Sequence, residues 1–181
     1  GCAHRAPRRP EPQRDVLVLD GGYPRWVAEG GETTTEVPEV SATTYTGQVD
    51  ESLFADVAYL ESRLDTAVVI DARDAAVFHG DVVEPWADKA GHIPGAVSLP
   101  ATQMWNADGT YKSRAELADL VSAAVGGRGR SDEIIVYCGG GGYASSWMYV
   151  LTQVLQYQNV RMYDGSAQEW VRDHDMVTSA T

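Results

Sequence analysis

Two short stretches, Ala67-Val68-Val69-Ile70 and Ile134-Ile135-Val136-Tyr137, are hydrophobic at every position instead of at every second one. A strand with one wet face alternates, whereas a strand covered on both faces does not. Such runs belong to parallel sheets held between helices. Val160-Arg161-Met162-Tyr163 reads as a further strand. Between the runs the apolar period becomes helical: Leu53, Val57, Leu60 and Leu64 form one stripe, and Leu117, Leu120, Val121 and Val125 form another. Ser113 and Glu116 stand before the second stripe at capping-box spacing, and Ser166 with Glu169 predicts a second capping box around Trp170. Residues 143–156 read as a further helix. Strand and helix alternate from residue 52 onward, which predicts an α/β protein, a three-layer α/β/α domain with a parallel sheet. Ligands of such sheets bind beyond the carboxyl ends of the strands. Asp71 and Cys138 both fall there.

At 181 residues the chain has room for one full domain and an appendage. Its formal charge is −12. Residues 1–30 contribute +1, from Arg5, Arg8, Arg9, Arg14 and Arg25 against Glu11, Asp15, Asp20 and Glu29, so the remainder carries −13. That acidity excludes a nucleic-acid surface and means that an anionic substrate must be caught by a local device. No apolar run is long enough to span a bilayer, so no membrane partner is expected. With Cys2 and Cys138 as the two cysteines, a disulfide framework is not expected; a reduced thiol in the cytoplasm is.

Compared with itself, the chain repeats a unit. Val16-Leu17-Val18-Leu19-Asp20-Gly21-Gly22 with Trp26 recurs as Val160-Arg161-Met162-Tyr163-Asp164-Gly165-Ser166 with Trp170. Each copy reads as a strand, an Asp-Gly turn and a Trp-anchored helix. The expected organisation is therefore a disordered Arg- and Pro-rich arm over 1–14, a remnant of a first domain over 15–30, a linker over 31–50 and a catalytic domain over 51–176. The remnant's strand would pair with its own chain or with another copy, which leaves the oligomeric state open.

Chemistry concentrates at Cys138-Gly139-Gly140-Gly141-Gly142-Tyr143, a nucleophile at a strand end, four glycines and then a helix. Glycine takes positive backbone angles without steric cost, so the loop can curl until successive N–H groups converge on one anion. A sulfur anion would also sit at the positive end of the following helix. The plain alternative is an inert buried cysteine beside a glycine turn. A phosphate loop is disfavoured, since the Lys-Ser/Thr ending and the Gly-x-Gly-x-x-Gly pattern are both missing. Phosphatase-like chemistry calls for an Arg six positions after the cysteine, and Ala144 stands there.

Residues 52–170 resemble the second, catalytic domain of a two-domain thiosulfate sulfurtransferase of the rhodanese family. The resemblance is carried, in order, by Val69-Ile70-Asp71-Ala72-Arg73, Gly91-His92-Ile93-Pro94-Gly95-Ala96, Asp108-Gly109-Thr110-Tyr111-Lys112-Ser113, the Cys138 loop, and Tyr163-Asp164-Gly165-Ser166 to Trp170. It implies that Cys138 takes sulfane sulfur from thiosulfate or a similar small anion and passes it to a thiophile such as cyanide. Gly139, Gly140, Gly141, Gly142 and Tyr143 would cradle the donor. Arg73 at the rim would attract it, and Asp71 would orient it or cap a turn. Neither metal nor organic cofactor is implied. The family's loop cations are replaced here by Gly139, Gly140 and Val77, which puts the donor's identity in question. His92 is expected to fix a turn, Trp86, Trp105 and Tyr143 are candidate pocket walls, and Lys112 and Arg114 are expected on a solvated face. The competing reading is a non-catalytic rhodanese-like module that binds a partner.

Overall fold

The computed structural model describes residues 4–5, 17–42, 44 and 50–178. They form two compact units, the smaller built from the N-terminal segment up to Asp50 together with Trp105–Tyr111, the larger from Glu51–Met104 and the chain from Lys112 onward.

In the smaller unit, β1 (His4–Arg5) pairs antiparallel with β2 (Leu17–Val18). Of the segment expected to be a disordered arm, His4 and Arg5 are thus in a strand, and the rest lies outside the described residues, as does Cys2. The Asp20-Gly21-Gly22 turn leads into α1 (Gly22–Ala28), with Gly21 at φ 84°. The Trp26 indole donates to the Glu32 carbonyl at 2.9 Å. Asp20 accepts from the Tyr111 N–H at 2.8 Å, which binds the 105–111 loop into this unit.

In the larger unit, a 3₁₀ turn (Glu51–Leu53) and a short strand β3 (Phe54–Ala55) precede α2 (Val57–Glu61). The expected stripe from Leu53 to Leu64 is therefore not one helix. Asp56 ends the strand and caps α2, accepting from the Tyr59 N–H at 2.7 Å. There follow β4 (Val68–Asp71), α3 (Ala75–His79), β5 (Val97–Ser98), a 3₁₀ turn (Ala101–Met104), α4 (Arg114–Val125), β6 (Ile134–Tyr137) and α5 (Gly142–Tyr149). A π-helical turn (Val150–Val154) extends α5, short of the expected end at Gln156, before β7 (Val160–Tyr163) and α6 (Ser166–Asp173).

The strands form one five-stranded parallel sheet in the order β3-β7-β6-β4-β5. Central β4 and β6 are buried at all four of their residues, which requires cover on both faces and explains their unbroken apolar sequence. Side chains alternate across the sheet. Val69, Ile135 and Tyr137 pack in one cluster with Leu60 of α2 and Ala167 and Trp170 of α6. Fully buried Trp147 and Leu151 of the α5 region, with Leu117 and Val121 of α4, add to the core. The expected Ser113–Glu116 capping box is present in both directions. The one expected at Ser166 and Glu169 is not. Gly165 is the N-cap of α6 and makes no side-chain cap bond, and Ser166 is wholly buried at φ 54°, its hydroxyl turned to the sheet instead of the helix start.

The two copies of the repeated unit differ in burial. Trp170 is 2% exposed against the sheet, whereas Trp26 is 45% exposed, with Leu17, Leu19, Tyr23 and Val27 also open. Among the described residues no helix is long and apolar enough to cross a membrane.

Gly91 packs against the backbone of the C-terminal segment at Val177. It sits at φ 96°, and a methyl group placed on it would lie 2.1 Å from the Val177 carbonyl oxygen. The backbone bridge between His92 and Val177 leaves no room to move aside. Gly91→Ala is expected to lower unfolding free energy by at least about 3 kcal/mol, through backbone strain and overpacking together; a urea midpoint equal to that of the parent would contradict it.

Candidate functional site

The site grows from the carboxyl ends of β4 and β6, neighbours in register from Val68 opposite Ile134 to Asp71 opposite Tyr137. Asp71 is fully buried. Its carboxylate accepts from the Arg73 backbone N–H at 2.9 Å, from the guanidinium Nη2 at 2.6 Å and Nε at 3.0 Å, and from the Tyr137 hydroxyl at 2.6 Å. Arg73 is only 4% exposed and also donates to the Gly91 carbonyl at 2.8 Å and to Glu84 at 3.3 Å. Burial works against the Arg73 charge, and the Asp71 carboxylate more than offsets it, so the guanidinium is held firmly protonated. Burial also pushes the Tyr137 phenol well up, with Asp71 adding to it. The resemblance implies that Arg73 at the rim attracts the donor and that Asp71 orients it or caps a turn. Arg73 lines the cavity, and the Asp71 carboxylate accepts from both its backbone N–H and its guanidinium.

Tyr137 is the last residue of β6, and the chain then turns into the glycine loop. Four main-chain or side-chain bonds fix that loop. The Cys138 N–H donates to the Ser166 hydroxyl at 3.2 Å, and that hydroxyl donates to the Tyr163 carbonyl at 2.9 Å. The Ala167 N–H donates to the Cys138 carbonyl at 3.0 Å and the Gln168 N–H to the Gly139 carbonyl at 3.1 Å. The loop is thus sewn to the first turn of α6. Ser166 was read from sequence as a helix cap; its backbone angle and burial instead make it the residue that holds Cys138. A hydroxyl in a D-G-S turn gives no sign of which way it will face.

Cys138 is 2% exposed and carries a free thiol. Its Sγ accepts from the Gly141 N–H at 3.1 Å. Of the expected ring of amides, this is the donor in contact with sulfur among the described residues. Gly141 stands at φ 93°, and a side chain there would meet the Asp164 carboxylate at 2.8 Å, so the turn that aims this N–H requires glycine. Gly142 and Tyr143 open α5, where the first N–H groups have no intrahelical acceptor. An anion on sulfur therefore faces both a donated N–H and the positive end of a helix.

Above the sulfur lies a cavity of about 340 Å³, lined by Cys138, Gly139, Gly140, Gly142 and Tyr143 and walled by Arg73, Asp74, Val77, Glu84, Trp86 and Gln168. This is small-molecule size. A methyl group on Gly139 would sit 3.2 Å from both the Glu84 carboxylate and the Trp86 ring, so this wall closes directly over the loop. Burial pushes the Glu84 carboxyl up, and Arg73 draws it back down. Glu84, Asp74 and Gln168 were not singled out from sequence; they lie on irregular chain or at helix starts, without a periodic signal. Trp86 and Tyr143 line the cavity as expected, but Trp105 belongs to the smaller unit. His92 is buried, stacked on Phe78 with ring centroids 3.6 Å apart and with Nδ1 2.8 Å from the Phe78 carbonyl; it bonds to backbone as expected, but to that of α3 and not within its own turn.

The chain is 35% identical over 163 residues to the "Putative thiosulfate sulfurtransferase" of Saccharopolyspora erythraea, covering 86% of this chain and 57% of that one. It is 34% identical over 169 residues to the sulfur carrier protein TtuD of Thermus thermophilus, covering 87% and 59%. With the "Probable 3-mercaptopyruvate sulfurtransferase" of Pseudomonas aeruginosa it shares 35% identity over 160 residues, covering 87% and 55%. The chain thus spans little more than half the length of these relatives. An EanB variant in complex with hercynine superposes with a TM-score of 0.81 at 22% identity, over 94% of this chain and 43% of that one, a likeness of fold. The rhodanese-like domain family model matches residues 56–173, which contain the sheet, the glycine loop and Cys138, and the chain belongs to that family.

Proposed function

We propose that the chain is a sulfurtransferase that carries sulfane sulfur as a persulfide on Cys138. The observation that carries this reading is the placement of the Cys138 sulfur at the base of a small cavity, accepting an N–H from Gly141 at 3.1 Å beside the start of α5. Family membership and the sulfurtransferase names of the relatives support it.

The reaction is a double displacement. The Cys138 thiolate attacks the sulfane sulfur of thiosulfate or a similar donor. The bond from that sulfur to the donor breaks, and sulfite or its equivalent leaves with the electron pair. The persulfide anion stays on Cys138, stabilised by the same main-chain donor that met the thiolate. A thiophile such as cyanide then attacks the terminal sulfur, and the sulfur–sulfur bond breaks with its electron pair returning to Sγ. The backbone of Gly139, Gly140, Gly141, Gly142 and Tyr143 binds the donor. Arg73 shapes the wall while Asp71 positions Arg73. Organic cofactor and metal have no part in these steps. A reduced compartment, the cytoplasm, suits a free nucleophilic thiol. The exposed Trp26 and Leu17 support reading residues 15–30 as part of a sister domain.

Intact-mass measurement tests the core of this reading. After incubation with thiosulfate or another sulfane donor, the protein is expected to gain one sulfur atom that cyanide removes, and Cys138→Ser is expected to gain none. No adduct with any donor would favour a partner-binding module instead. A second substitution probes donor capture. Gly140 has no positive φ, and the nearest atom to an added side chain is the side-chain amide Oε1 of Gln168 at 3.4 Å, so the loop can accept a cation. Gly140→Arg is expected to raise kcat/KM for thiosulfate by about tenfold through local attraction. An unchanged or lower value would show that donor attraction is not limiting.

A further inference from the structure

An amide-lined floor accounts for the sulfur anion, but the walls of the cavity have a different chemistry. Three charged side chains line them: Arg73, Asp74 and Glu84. Arg73 is already neutralised by Asp71, with which it forms a buried pair closing at 2.6 Å. Glu84 reaches only the remaining Nη1, at 3.3 Å, with its side chain 24% exposed. Asp74 begins α3 without using its side chain as a cap and stands exposed. One guanidinium thus stands against three carboxylates, Asp71, Glu84 and Asp74, which leaves a net negative charge around a nucleophile that itself becomes an anion when loaded. The same cavity is lined by two partly open aromatic side chains, Trp86 at 37% and Tyr143 at 47% exposure. The whole chain adds a field of the same sign, with its formal charge of −12.

Carboxylates and aromatic rings together form the environment that attracts organic cations, through Coulomb attraction and the ring quadrupole. The same environment repels an acceptor that carries its own carboxylate. We propose that the cavity over Cys138 selects a small sulfur acceptor bearing an ammonium group, with Glu84 and Asp74 as the residues that set this preference. This rests on the persulfide reading above and names the acceptor class for it. In the transfer, the persulfide anion takes the thiol proton of the acceptor, and the resulting acceptor thiolate attacks the terminal sulfur of the now protonated persulfide. The bond between the two persulfide sulfurs breaks, its electron pair remains on Sγ, and the acceptor leaves as a hydropersulfide that keeps its ammonium group. Trp86 and Glu84 pack directly over Gly139, one residue from the nucleophile, so the ammonium and the reacting sulfur lie within the reach of one short carbon chain.

The experiment uses the full chain, loaded first with inorganic polysulfide and checked by intact mass. Discharge of the added sulfur is then followed with cysteamine, 2-mercaptoethanol and 3-mercaptopropionate, three short thiols that carry a positive, zero and negative charge, each rate expressed per thiolate present. Cysteamine is expected to exceed 3-mercaptopropionate by at least about tenfold, with 2-mercaptoethanol between them. In 1 M salt, where the screening length falls to about 3 Å, the ratio is expected to shrink. Glu84→Gln and Asp74→Asn, separately and together, are expected to shrink it at low salt. Asp74→Asn lies on the surface, so it keeps the test open if Glu84→Gln disturbs folding. Equal rates for the three thiols, a preference for the anion, or a ratio that neither salt nor the two substitutions alter would overturn the proposal while leaving the persulfide intact. A chain that never takes up sulfur from polysulfide would instead remove the reading on which the proposal rests.

Discussion

An ion pair buried at the ends of two neighbouring strands organises this molecule. Asp71 and Arg73 are taken out of water together, at 0% and 4% exposure, and a charge so buried is tolerated only with its bonding capacity filled. The Tyr137 hydroxyl fills one position on Asp71, and the Gly91 carbonyl takes a donor from Arg73. The Ile93 N–H in turn donates to the Tyr137 oxygen. Each bond joins a different stretch of chain, so the pair decides where the end of β6 stands relative to the loop at 91–93. A well-packed apolar replacement could be equally stable. What the ionic version supplies is direction, because hydrogen bonds to a carboxylate and a guanidinium have a fixed geometry that apolar contacts lack.

That fixed strand end is what makes the glycine loop useful. Four consecutive glycines lose more entropy on ordering than other residues. The loop is nevertheless held in one shape, because α6 donates to the carbonyls of Cys138 and Gly139 while Ser166 takes the Cys138 N–H. Anchored on both sides, the chain turns at Gly141 and points its N–H at the sulfur. Preorganised dipoles of this sort need no rearrangement when charge develops, which is the main source of their effect on a reaction. The walls then add what the loop's glycines lack: charge of a particular sign from Arg73, Asp74 and Glu84, remote from Cys138 in sequence, and aromatic surface from Trp86 and Tyr143.

The repeated strand, Asp-Gly turn and Trp unit shows how far context governs a motif. In the copy at Asp164 the tryptophan is buried under a complete sheet. In the copy at Asp20 the same residue types stand in a small unit, with Trp26 tied by its indole to the Glu32 carbonyl and still half open. Local chemistry forms the turn in each case, and only the neighbours supply a core.

Sequence alone determined the elements whose cause is local or periodic. The apolar runs at 67–70 and 134–137 read as covered strands and 160–163 as a further strand, the Ser113–Glu116 spacing as a helix start, and a cysteine before four glycines as a turn at a strand end. The Asp71 and Cys138 placements followed from those strands. Tertiary structure decided everything that depends on the direction of a side chain. Ser166 had the spacing of a helix cap, but the partner that won its hydroxyl is the Tyr163 carbonyl, with the Cys138 N–H donating to it. Arg73 had the look of a rim cation, but Asp71 stands two residues away on the same strand end and captures it. Glu84 and Asp74 gave no signal at all, since irregular chain has no period, and they reach the cavity from the segment after α3 and from the start of α3 respectively. Spacing along a chain records which residues share a face of one element; it does not record which of several partners from distant segments a buried polar group will choose, because that competition is settled by packing.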